Sequence, residues 1–428
     1  MNSIIRPVKG TRDFYPESMM IRRWIISAMH NCSRKFGYQE YDAPCLETID
    51  LYAAKSGDEL VKEQSFVFPD RGGDLIALRP ELTPSLARMV ASKQNELFFP
   101  LRWYSFGPFW RYERPQKGRS REFFQWNIDQ IGSNSINSDA EIVAVAVDFF
   151  KQVGLSSEKV KIYINDRRLM EKSIKSLGIS PELSESVVKL IDRVDKLEKD
   201  KWEEFAQDLG LTSEQVGRLE DLLFKQDLWK ESEELVSFFQ VCNWLGIQDY
   251  VEFDPKVVRG LDYYTGIVFE GRDVGRHYRA IFGGGHYDNL VADVGGNPLP
   301  GVGFAMGDVV IEILLRDLGC IPPNISSSSR IMVTVFDESC LEYSFRLSSE
   351  LRDKEIDVLT FPTYEKLSKQ LKYADKIGVN YVLIIGPDEI QKNIITIKDL
   401  KTQEQCTVSD YLIVDEIKRL LDKAPTLC

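Results

Sequence analysis

The chain has 428 residues, of which 43% are hydrophobic and 28% charged, so it can bury enough apolar surface for about two to four domains. Its formal net charge of −12 argues against nonspecific coating of nucleic acid, because phosphate contacts need a basic surface, although a local basic patch could still serve. No apolar run approaches the roughly 18 residues that span a bilayer, and the N-terminal residues lack a signal-peptide pattern, so we expect a cytoplasmic protein.

The seven Cys residues are scattered without the CxxC or CxxH spacing of zinc sites, and the three His residues are too few and too dispersed for a metal centre. The sequence therefore predicts neither a disulfide framework nor a metal held by protein ligands. We expect the thiols to be reduced and mostly structural.

The first part of the chain alternates helical and strand patterns. Apolar residues recur at helical spacing over residues 18–36, which predicts a helix. The alternating segment that follows is interrupted at Pro44, as is typical of an edge strand or an interface. Residues 74–79 predict a short strand, and Pro84 marks the first turn of a helix over residues 85–92.

Glu81 and Thr83 stand in the turn between that strand and that helix. Their side chains could hold an ammonium group, or they could cap the helix. The sequence leaves both interpretations open.

The most distinctive stretch is residues 106–129, FGPFWRYERPQKGRSREFFQWNID. Aromatic, β-prone flanks enclose a tip with Pro115 and Gly118, which predicts two strands joined by a long hairpin loop. Residues 111–121 carry five Lys or Arg residues against a single Glu, although the whole protein is acidic. A basic loop on an acidic chain indicates a site for an anion.

Arg111 stands in the aromatic strand, where an unpaired buried arginine would be costly, so we expect it to contact a ligand. Its guanidinium can hold a phosphate through two parallel hydrogen bonds, and the alternative is an ion pair with Glu113 or another carboxylate. Gln125 and Asp129 lie four residues apart on the returning strand, hence on one face, and offer acceptors to a substrate that donates N–H groups. The residues of the tip are either ligand contacts or solvated side chains: Arg114, Gln116, Lys117 and Arg119.

The middle of the chain changes from helical to strand character. A helix is predicted over residues 139–153, and residues 168–243, rich in Leu, Glu, Lys and Asp at heptad-like spacing, predict a helical insertion. Strand character returns over residues 256–271, whereas the glycines of residues 283–288 predict a tight turn. Another helix is predicted over residues 308–318.

Arg259 precedes a glycine and the pair Tyr263 and Tyr264 in the segment VVRGLDYYTG. A cation beside two hydroxyl-bearing rings could pack in the core by cation–π contact, or it could clamp a phosphate. Both interpretations stay open at this point.

The C-terminal part begins after a linker of two prolines and four serines within residues 322–329. Beyond this linker, Val- and Ile-rich strands alternate with amphipathic helices. This pattern predicts a small α/β domain with a mostly parallel or mixed sheet.

Several of these stretches together resemble the class II aminoacyl-tRNA synthetases. They are, in this order, GTRDFYP, RPELTP, GPFWRYERPQKGRSREFFQ, VRGLDYYTG, GGGHYDNL and GVGFAMG. The RGLDYY segment resembles the histidyl-tRNA synthetase family in particular, and KLSKQLKYADKIGVNYVLIIG resembles its anticodon-binding domain. The resemblance covers essentially the whole chain.

The resemblance implies an α/β protein with an α+β catalytic core, in which the antiparallel sheet of the class II synthetases is flanked by helices. We expect the core in two parts, residues 1–167 and 246–321, separated by the helical insertion, residues 168–245. A linker, residues 322–329, would lead to a small C-terminal α/β anticodon-binding domain, residues 330–428.

The resemblance also implies the activity and its partners. A ligase of this family activates L-histidine with ATP and Mg²⁺, releases pyrophosphate, and transfers histidine to the 3′ end of tRNA(His). Attack of the histidine carboxylate on the α-phosphate is promoted mainly by positioning and charge stabilisation. The enzyme would be a homodimer, with Pro44 at the interface.

Roles for individual residues follow from the resemblance. Arg111 and Arg259 would be the catalytic pair on either side of the α-phosphate, and both would also contact histidine. The other ATP contacts would come from Glu113, Arg119 and Arg121. The rest of the histidine pocket would be Glu81, Thr83, Gln125, Asp129, Tyr263 and Tyr264. The acceptor end of the tRNA would meet Arg114 and Gln116.

Three positions depart from the family pattern. Most members carry an arginine that contacts the γ-phosphate where this chain has Val310, which leaves Arg119, Arg121 or Mg²⁺ as candidates for that contact. Asp129 stands where some relatives have Glu, and His286 stands where Arg is common.

Two other functions share part of the pattern. A histidine-binding regulatory paralogue without catalysis would have a similar pocket, but such proteins typically lack the anticodon domain and the basic hairpin, both of which this chain keeps. A class II synthetase for another amino acid would conflict with the RGLDYYTG segment. The sequence therefore favours a histidine–tRNA ligase.

Overall fold

The computed structural model describes residues 5–53, 64–116, 118–258, 264–323, 325 and 331–422. The chain divides into two compact units, of which the first comprises Met1–Asp13 and Ile25–Ile321 and the second Phe14–Trp24 and Pro322–Cys428. No helix in the described ranges is both long and apolar enough to cross a membrane.

Helices and strands up to residue 166 include all those that the sequence predicts, together with a helix over residues 49–53 and strands over 66–69 and 160–166 that were not predicted. In chain order these elements are α1 (Pro16–Lys35), β1 (Gln39–Glu40), β2 (Leu46–Thr48), α2 (Ile49–Ala53), β3 (Phe66–Pro69), β4 (Leu75–Leu78), α3 (Thr83–Lys93), β5 (Leu101–Trp110), β6 (Glu122–Ile131), α4 (Ile136–Gln152) and β7 (Val160–Asp166). The predicted hairpin is confirmed, since β5 and β6 pair antiparallel and are joined by the basic loop over residues 111–121.

The segment that follows is helical. Its helices are α5 (Arg167–Ser176), α6 (Ser184–Ile191), α7 (Lys199–Asp208), α8 (Ser213–Phe224) and α9 (Glu233–Trp244). Helix α8 begins with a capping box between Thr212 and Gln215, and the buried Trp202 donates its indole N–H to the carbonyl oxygen of Leu190 at 2.9 Å. Residues 168–243 are therefore helical as predicted.

The chain then returns to the sheet. The remaining elements of the first unit are β8 (Val251–Phe253), β9 (Ile267–Asp273), β10 (Phe282–Tyr287), β11 (Gly301–Gly307) and α10 (Asp308–Asp317). An eight-stranded sheet results, with the order β1-β5-β6-β11-β10-β9-β7-β8. Its six inner strands pair antiparallel and only its two edge strands pair parallel, so the predicted antiparallel core sheet is confirmed.

Helix α4 covers one face of this sheet. Trp126 of β6 packs against Phe149 of α4 and Phe304 of β11, with ring centroids 5.6 and 5.1 Å apart. All three side chains are almost completely buried, because alternate residues of each strand point to this face. The opposite face of the same strands stays available for a site.

A smaller sheet, with the order β2-β4-β3, carries the segment around Pro44. Pro44 itself is exposed and lies between β1 and β2, as expected for a proline at a sheet edge. Arg79 at the end of β4 is fully buried and donates to Asp42 at 2.7 Å and to the carbonyl oxygens of Ala43 and Pro108.

The second unit contains the predicted α/β pattern. Its elements beyond the linker are β12 (Ile331–Val333), α11 (Leu341–Asp353), β13 (Val358–Thr360), α12 (Leu367–Lys376), β14 (Tyr381–Ile384), α13 (Pro387–Lys392), β15 (Ile394–Asp399), β16 (Gln405–Ser409) and α14 (Ile413–Asp422). The sheet is mixed, since β13, β12 and β14 are parallel and β15 and β16 are antiparallel. The sequence pattern did not predict α13 and β16.

Two predictions about strands are wrong. Residues 283–288 do not form a tight turn, because their glycines are extended and belong to β10 in the middle of the sheet. Close packing requires glycine there, since a Cβ at Gly284 would lie 2.6 Å from the Cβ of Phe304. Strand character does not cover residues 256–258, where Asp254 accepts the amide of Lys256 at 3.0 Å and holds a turn instead.

Candidate active site

A cavity of about 350 Å³ lies on the sheet face opposite α4. The strand register sets Asn127, Ala305, Gly283 and Glu270 side by side across β6, β11, β10 and β9, and all four line the cavity. A volume of this size suits a small metabolite.

Glycines at the base of the cavity let neighbouring side chains pack directly against the strand backbone. A Cβ at Gly303 would clash with the carboxylate of Asp129, and a Cβ at Gly285 would lie 2.9 Å from Cδ1 of Tyr264. Asp129 and Tyr264 can therefore lie directly against the backbone of the sheet, and both line the cavity. The glycines of the two glycine-rich motifs thus make room for predicted site residues.

Asp129, one of the two acceptors expected on β6, is 6% exposed. The hydroxyl of Tyr287 donates to its Oδ1 at 3.0 Å. Burial raises the pKa of Asp129 to about 7, against the hydrogen bond from Tyr287, which lowers it. The side chain is therefore a carboxylate acceptor above that pH and a neutral carboxyl group below it.

Glu81 and Thr83 reach the same cavity from the start of α3. The N-cap residue of α3 is Leu82, and it makes no side-chain capping bond, so the interpretation of these residues as a helix cap is not supported. Glu81 is only 4% exposed, and a buried carboxylate in a cavity favours a cationic ligand group.

Arg111 lies at the end of β5 and also lines the cavity. Its Nε donates to the carbonyl oxygen of Pro80 at 2.9 Å, and its guanidinium carbon lies 5.5 Å from the ring centroid of Phe123. Within the described part of the chain, no carboxylate forms an ion pair with Arg111. The alternative of a pair with Glu113 is not realised, because Glu113 pairs with Arg119.

The charges of the cavity match an amino acid. Three carboxylates line it, those of Glu81, Asp129 and Glu270, together with the guanidinium of Arg111. A ligand with one carboxylate and at least one cationic or N–H donor group would satisfy both kinds of side chain.

The basic hairpin loop gathers the residues expected to bind ATP. Glu113 is buried and pairs with Arg119, while Nε of Arg121 donates to the carbonyl oxygen of Glu113 at 3.1 Å. The guanidinium carbon of Arg121 also lies 4.2 Å from the ring centroid of Tyr112. Glu113, Arg119 and Arg121 thus form one cluster, which is not part of the cavity wall.

Arg114 and Gln116 are exposed at the tip of the loop. The backbone of Gln116 exchanges hydrogen bonds with that of Arg119 at 3.0 and 2.9 Å, which fixes the turn between them. Arg259, Tyr263 and Lys117 lie outside the described residues.

Val310 lies beside this loop. It is buried on α10, and a Cβ added at Gly118 would lie 3.7 Å from its side chain and 3.8 Å from Cδ of Arg279. At the start of the same helix, Asp308 accepts from Nη2 of Arg12 at 2.7 Å and from the amide of Phe124 at 2.9 Å. Position 310, where the resemblance leads one to expect an arginine, thus holds a buried valine close to Gly118 of the loop.

Three polar residues of the cavity wall, Asn127, Glu270 and Tyr287, were not predicted from the sequence as site residues. Asn127 could have been found, because it falls between Gln125 and Asp129 at the strand period of two. Tyr287 was not predicted as a cavity residue because residues 283–288 were expected to form a turn. Glu270 could be placed at the cavity only with the register between β9 and β10.

No group of three or more His, Cys, Asp or Glu side chains is arranged to hold a metal ion in the ranges that the structure describes.

Comparisons with known proteins place the chain in a family. The family model described as "Histidyl-tRNA synthetase" matches residues 10–308, which is most of the chain. The chain belongs to the histidyl-tRNA synthetase family. A second model, "Anticodon binding domain", matches residues 327–420.

Individual members of the histidyl-tRNA synthetase family match over nearly their full length. A histidine–tRNA ligase of Leptospira biflexa is 36% identical over 97% of this chain and 98% of its own length. One of Pyrococcus horikoshii is 33% identical over 98% of this chain and 100% of its own length. The crystal structure of histidyl-tRNA synthetase from Nostoc sp. PCC 7120 has a TM-score of 0.84 at 25% identity, covering 98% of this chain and 100% of that one. These matches confirm the family and the fold class predicted from the sequence.

Proposed function

We propose that this protein is a histidine–tRNA ligase, which activates L-histidine with ATP and transfers it to the 3′ end of tRNA(His). The observation that carries the proposal is one cavity that brings together Glu81, Thr83, Arg111, Gln125 and Asp129 over a floor of glycines. Membership of the family supports the reaction, and the charges of the cavity support an amino acid as the substrate.

Recognition of histidine would divide between the two ends of the amino acid. Glu81 and Thr83 would hold its ammonium group and Arg111 its carboxylate. Gln125 and Asp129 would accept hydrogen bonds from the imidazole. A wrong amino acid would leave these buried acceptors unpaired, and that penalty would reject it.

The chemistry requires no nucleophilic side chain. A carboxylate oxygen of histidine attacks the α-phosphorus, pyrophosphate leaves, and histidyl-adenylate forms. Arg111 and Arg259, on opposite sides, would compensate the negative charge that builds on the phosphate oxygens. A ribose hydroxyl of the tRNA then attacks the acyl carbon, and AMP leaves.

ATP would be bound by the cluster at the base of the hairpin loop. Glu113 would face the adenine, while Arg119 and Arg121 beside it would contact the phosphates. Mg²⁺ would arrive with the phosphates, whose charge it neutralises, and such an ion needs few protein carboxylates. Glu270 in the cavity wall, whose Oε2 accepts from Nε of Arg272 at 2.7 Å, would be a carboxylate of this kind.

The tRNA would be met at two places. Arg114 and Gln116, exposed at the loop tip, would contact its acceptor end, and residues 330–428 would bind the anticodon.

We propose the same division into domains that the sequence predicts. Residues 1–167 and 246–321 would form the catalytic core, 168–245 the helical insertion and 322–329 the linker. The end of the first compact unit at Ile321 supports that last boundary.

We also propose a homodimer in the cytoplasm. The small sheet exposes Leu46 and Phe68 on one face, at 45% and 41%, next to the exposed Pro44. Apolar side chains exposed together are typical of a protein interface.

Pyrophosphate exchange into ATP tests the proposed function. We expect Arg111→Ala to lose at least about a hundredfold in histidine-dependent exchange, since one charge-stabilising group is worth about that factor. Arg102→Ala is the matched control, because Arg102 lies on the same strand but pairs with Glu141 at 2.5 Å outside the cavity. Equal activity of both variants would contradict the assigned site, and a protein that binds histidine without exchange would be the regulatory paralogue.

A further inference from the structure

An ion cluster, in which His286 and Asp139 are buried and Asp288 and Arg168 are partly exposed, lies on the sheet face opposite the cavity. His286 of β10 is 4% exposed, and its Nδ1 lies 2.9 Å from Oδ1 of Asp139 on α4. Its Nε2 lies 3.3 Å from Oδ1 of Asp288, an ion-pair distance without a well-directed hydrogen bond. Asp288 in turn pairs with Arg168 of α5 at 3.1 Å. None of these four side chains belongs to the cavity wall.

The cluster touches a segment that does belong to the site. The carbonyl oxygen of His286 accepts the amide of Thr265 at 2.8 Å, and a Cβ added at Gly266 would lie 3.3 Å from the Cβ of His286. The carbonyl oxygen of Gly266 accepts the amide of Arg167 at 3.0 Å. Residues 265–266 are thus held between β10 and the start of α5.

Tyr264, the residue just before this segment, lines the cavity. Its ring lies against Gly285, the neighbour of His286 on β10. The backbone of β10 therefore carries Tyr264 on one face and the ion cluster on the other, so a shift of residues 265–266 would move Tyr264 as well.

We propose that His286, as an imidazolium between Asp139 and Asp288, is a positioning residue that fixes residues 265–266 and thereby sets Tyr264 in the histidine pocket. Histidine binding then depends on the proton that His286 carries. This inference rests on the proposed function, because it concerns the pocket of that reaction.

The charges around the ring favour the protonated form. Burial alone lowers the pKa of His286, but the hydrogen-bonded carboxylate of Asp139 and the charge of Asp288 raise it, and the net shift is upward from 6.5. Arg168 is the only other charged side chain among the described residues that faces this pair, through Asp288. The positioning effect is complete below pH 6.5 and is lost as the pH rises through the higher pKa of the folded state.

Two variants separate charge from shape at this position. His286→Arg keeps a permanent cation, whereas His286→Gln keeps a hydrogen-bonding side chain without charge. His277→Gln is the matched control, since His277 forms a similar pair with Asp273 at 3.2 Å but its side chain is 77% exposed. The measurement is histidine-dependent pyrophosphate exchange from pH 6 to 9.5, with KM determined for histidine and for ATP.

We expect His286→Gln to raise the KM for histidine about tenfold at pH 7, because the pocket wall is displaced, and to change the KM for ATP less than about twofold. The wild type should show a rise of the KM for histidine at alkaline pH that His286→Arg removes and His277→Gln retains. Titration of the substrate and of Asp129 is common to all variants and cancels in this comparison. Equal changes of both KM values, or identical pH profiles of wild type and His286→Arg, would overturn the proposal.

Deuterium uptake at the amide of Thr265 gives a second readout that needs no activity. We expect faster exchange in His286→Gln than in wild type and in His277→Gln, and unchanged exchange would contradict the positioning role. If His286→Gln does not fold, Asp288→Asn removes one of the two charges at a partly exposed position, and the same outcomes apply. If the wild-type protein shows no pyrophosphate exchange, the proposed function is contradicted. The deuterium-uptake experiment still tests the positioning role of His286 in that case.

Discussion

Burial of the Asp129 carboxylate, which raises its pKa to about 7, costs the protein stability. The Asp129 side chain is buried and receives one hydrogen bond from Tyr287. Because its pKa in the folded state is about 7, above the ordinary 3.8, folding becomes less favourable as the pH rises from 3.8 to 7 and the carboxylate must be buried with its charge. A histidine imidazole would supply the N–H donor that this carboxylate lacks.

Asp129→Asn should therefore stabilise the ligand-free protein. At pH 8 we expect the free energy of unfolding in urea to rise by on the order of 4 kcal/mol at most, and by less at pH 5, where the wild-type carboxyl group is already protonated in the folded state. The same variant should bind histidine more than about tenfold more weakly at pH 8, because the amide is a poorer acceptor.

The control for this prediction is Asp148→Asn on α4. Asp148 is partly exposed and pairs with Lys35 at 3.3 Å, so its replacement should change stability little and equally at both pH values. Loss of stability in Asp129→Asn at pH 8 would show that the buried charge is compensated in a way that the structure does not show.

The sequence predicted several residues of the cavity but not their arrangement. Gln125 and Asp129 followed from the strand period, and Arg111 from the cost of burying an unpaired arginine. For Glu81 and Thr83 the residues alone left an ammonium site and a helix cap open, and the family resemblance implied the ammonium site. What the sequence could not supply was the register between strands distant in the chain. That register brings Glu270 and Tyr287 to the cavity, and side-chain patterns within one strand do not encode it.

At the level of elements, the basic hairpin carries two separate groups of charged and polar side chains. Its base carries Arg111 and the cluster around Glu113, whereas its tip exposes Arg114 and Gln116. Neither Arg114 nor Gln116 lines the cavity, so we expect neither side chain to contact a ligand bound there.

Alanine at Arg114 and at Gln116 should accordingly separate the two half-reactions. We expect each variant to slow transfer of histidine to tRNA by about tenfold, as lost contacts to a phosphate or base would, and to leave pyrophosphate exchange within about twofold of wild type. Arg111→Ala should lose both steps. Equal losses in exchange and transfer for the tip variants would contradict their assignment to tRNA.

Strand β10 shows where a local pattern misled the prediction. Three consecutive glycines normally indicate a turn, because glycine adopts conformations that other residues avoid. At Gly284 and Gly285 a side chain has no room, because Phe304 and Tyr264 pack where a Cβ would stand, whereas a Cβ at Gly283 would meet nothing within 4 Å. The need for glycine at these positions arises from the packing of neighbouring strands, which a pattern within one short segment does not contain.

At the level of the whole molecule, the sequence predicted the order of a mixed part of strands and helices, a helical segment and a C-terminal α/β pattern. Changes in periodicity and composition were sufficient for this, because they extend over tens of residues. The short elements α13, β8 and β16 were not predicted, because a run of three to six residues is too short to show a clear helical or strand period.

The proposed dimer makes a prediction at this scale. Leu46→Asp combined with Phe68→Asp should convert a sedimenting dimer into a monomer, because two charges would be buried in an apolar interface. Val274→Asp, at a side chain that is 44% exposed away from the small sheet, is the matched control and should remain a dimer. A wild-type monomer, or a dimer that survives the double substitution, would contradict an interface at this sheet.

Pyrophosphate exchange into ATP, measured on the wild-type protein with each of the twenty amino acids in turn, tests the central claim most directly. The cavity joins the carboxylates of Glu81 and Asp129 to the guanidinium of Arg111, and we expect exchange with histidine alone. Absence of exchange with every amino acid would contradict the proposed ligase activity. Exchange with proline or threonine but not with histidine would contradict the proposed specificity for histidine.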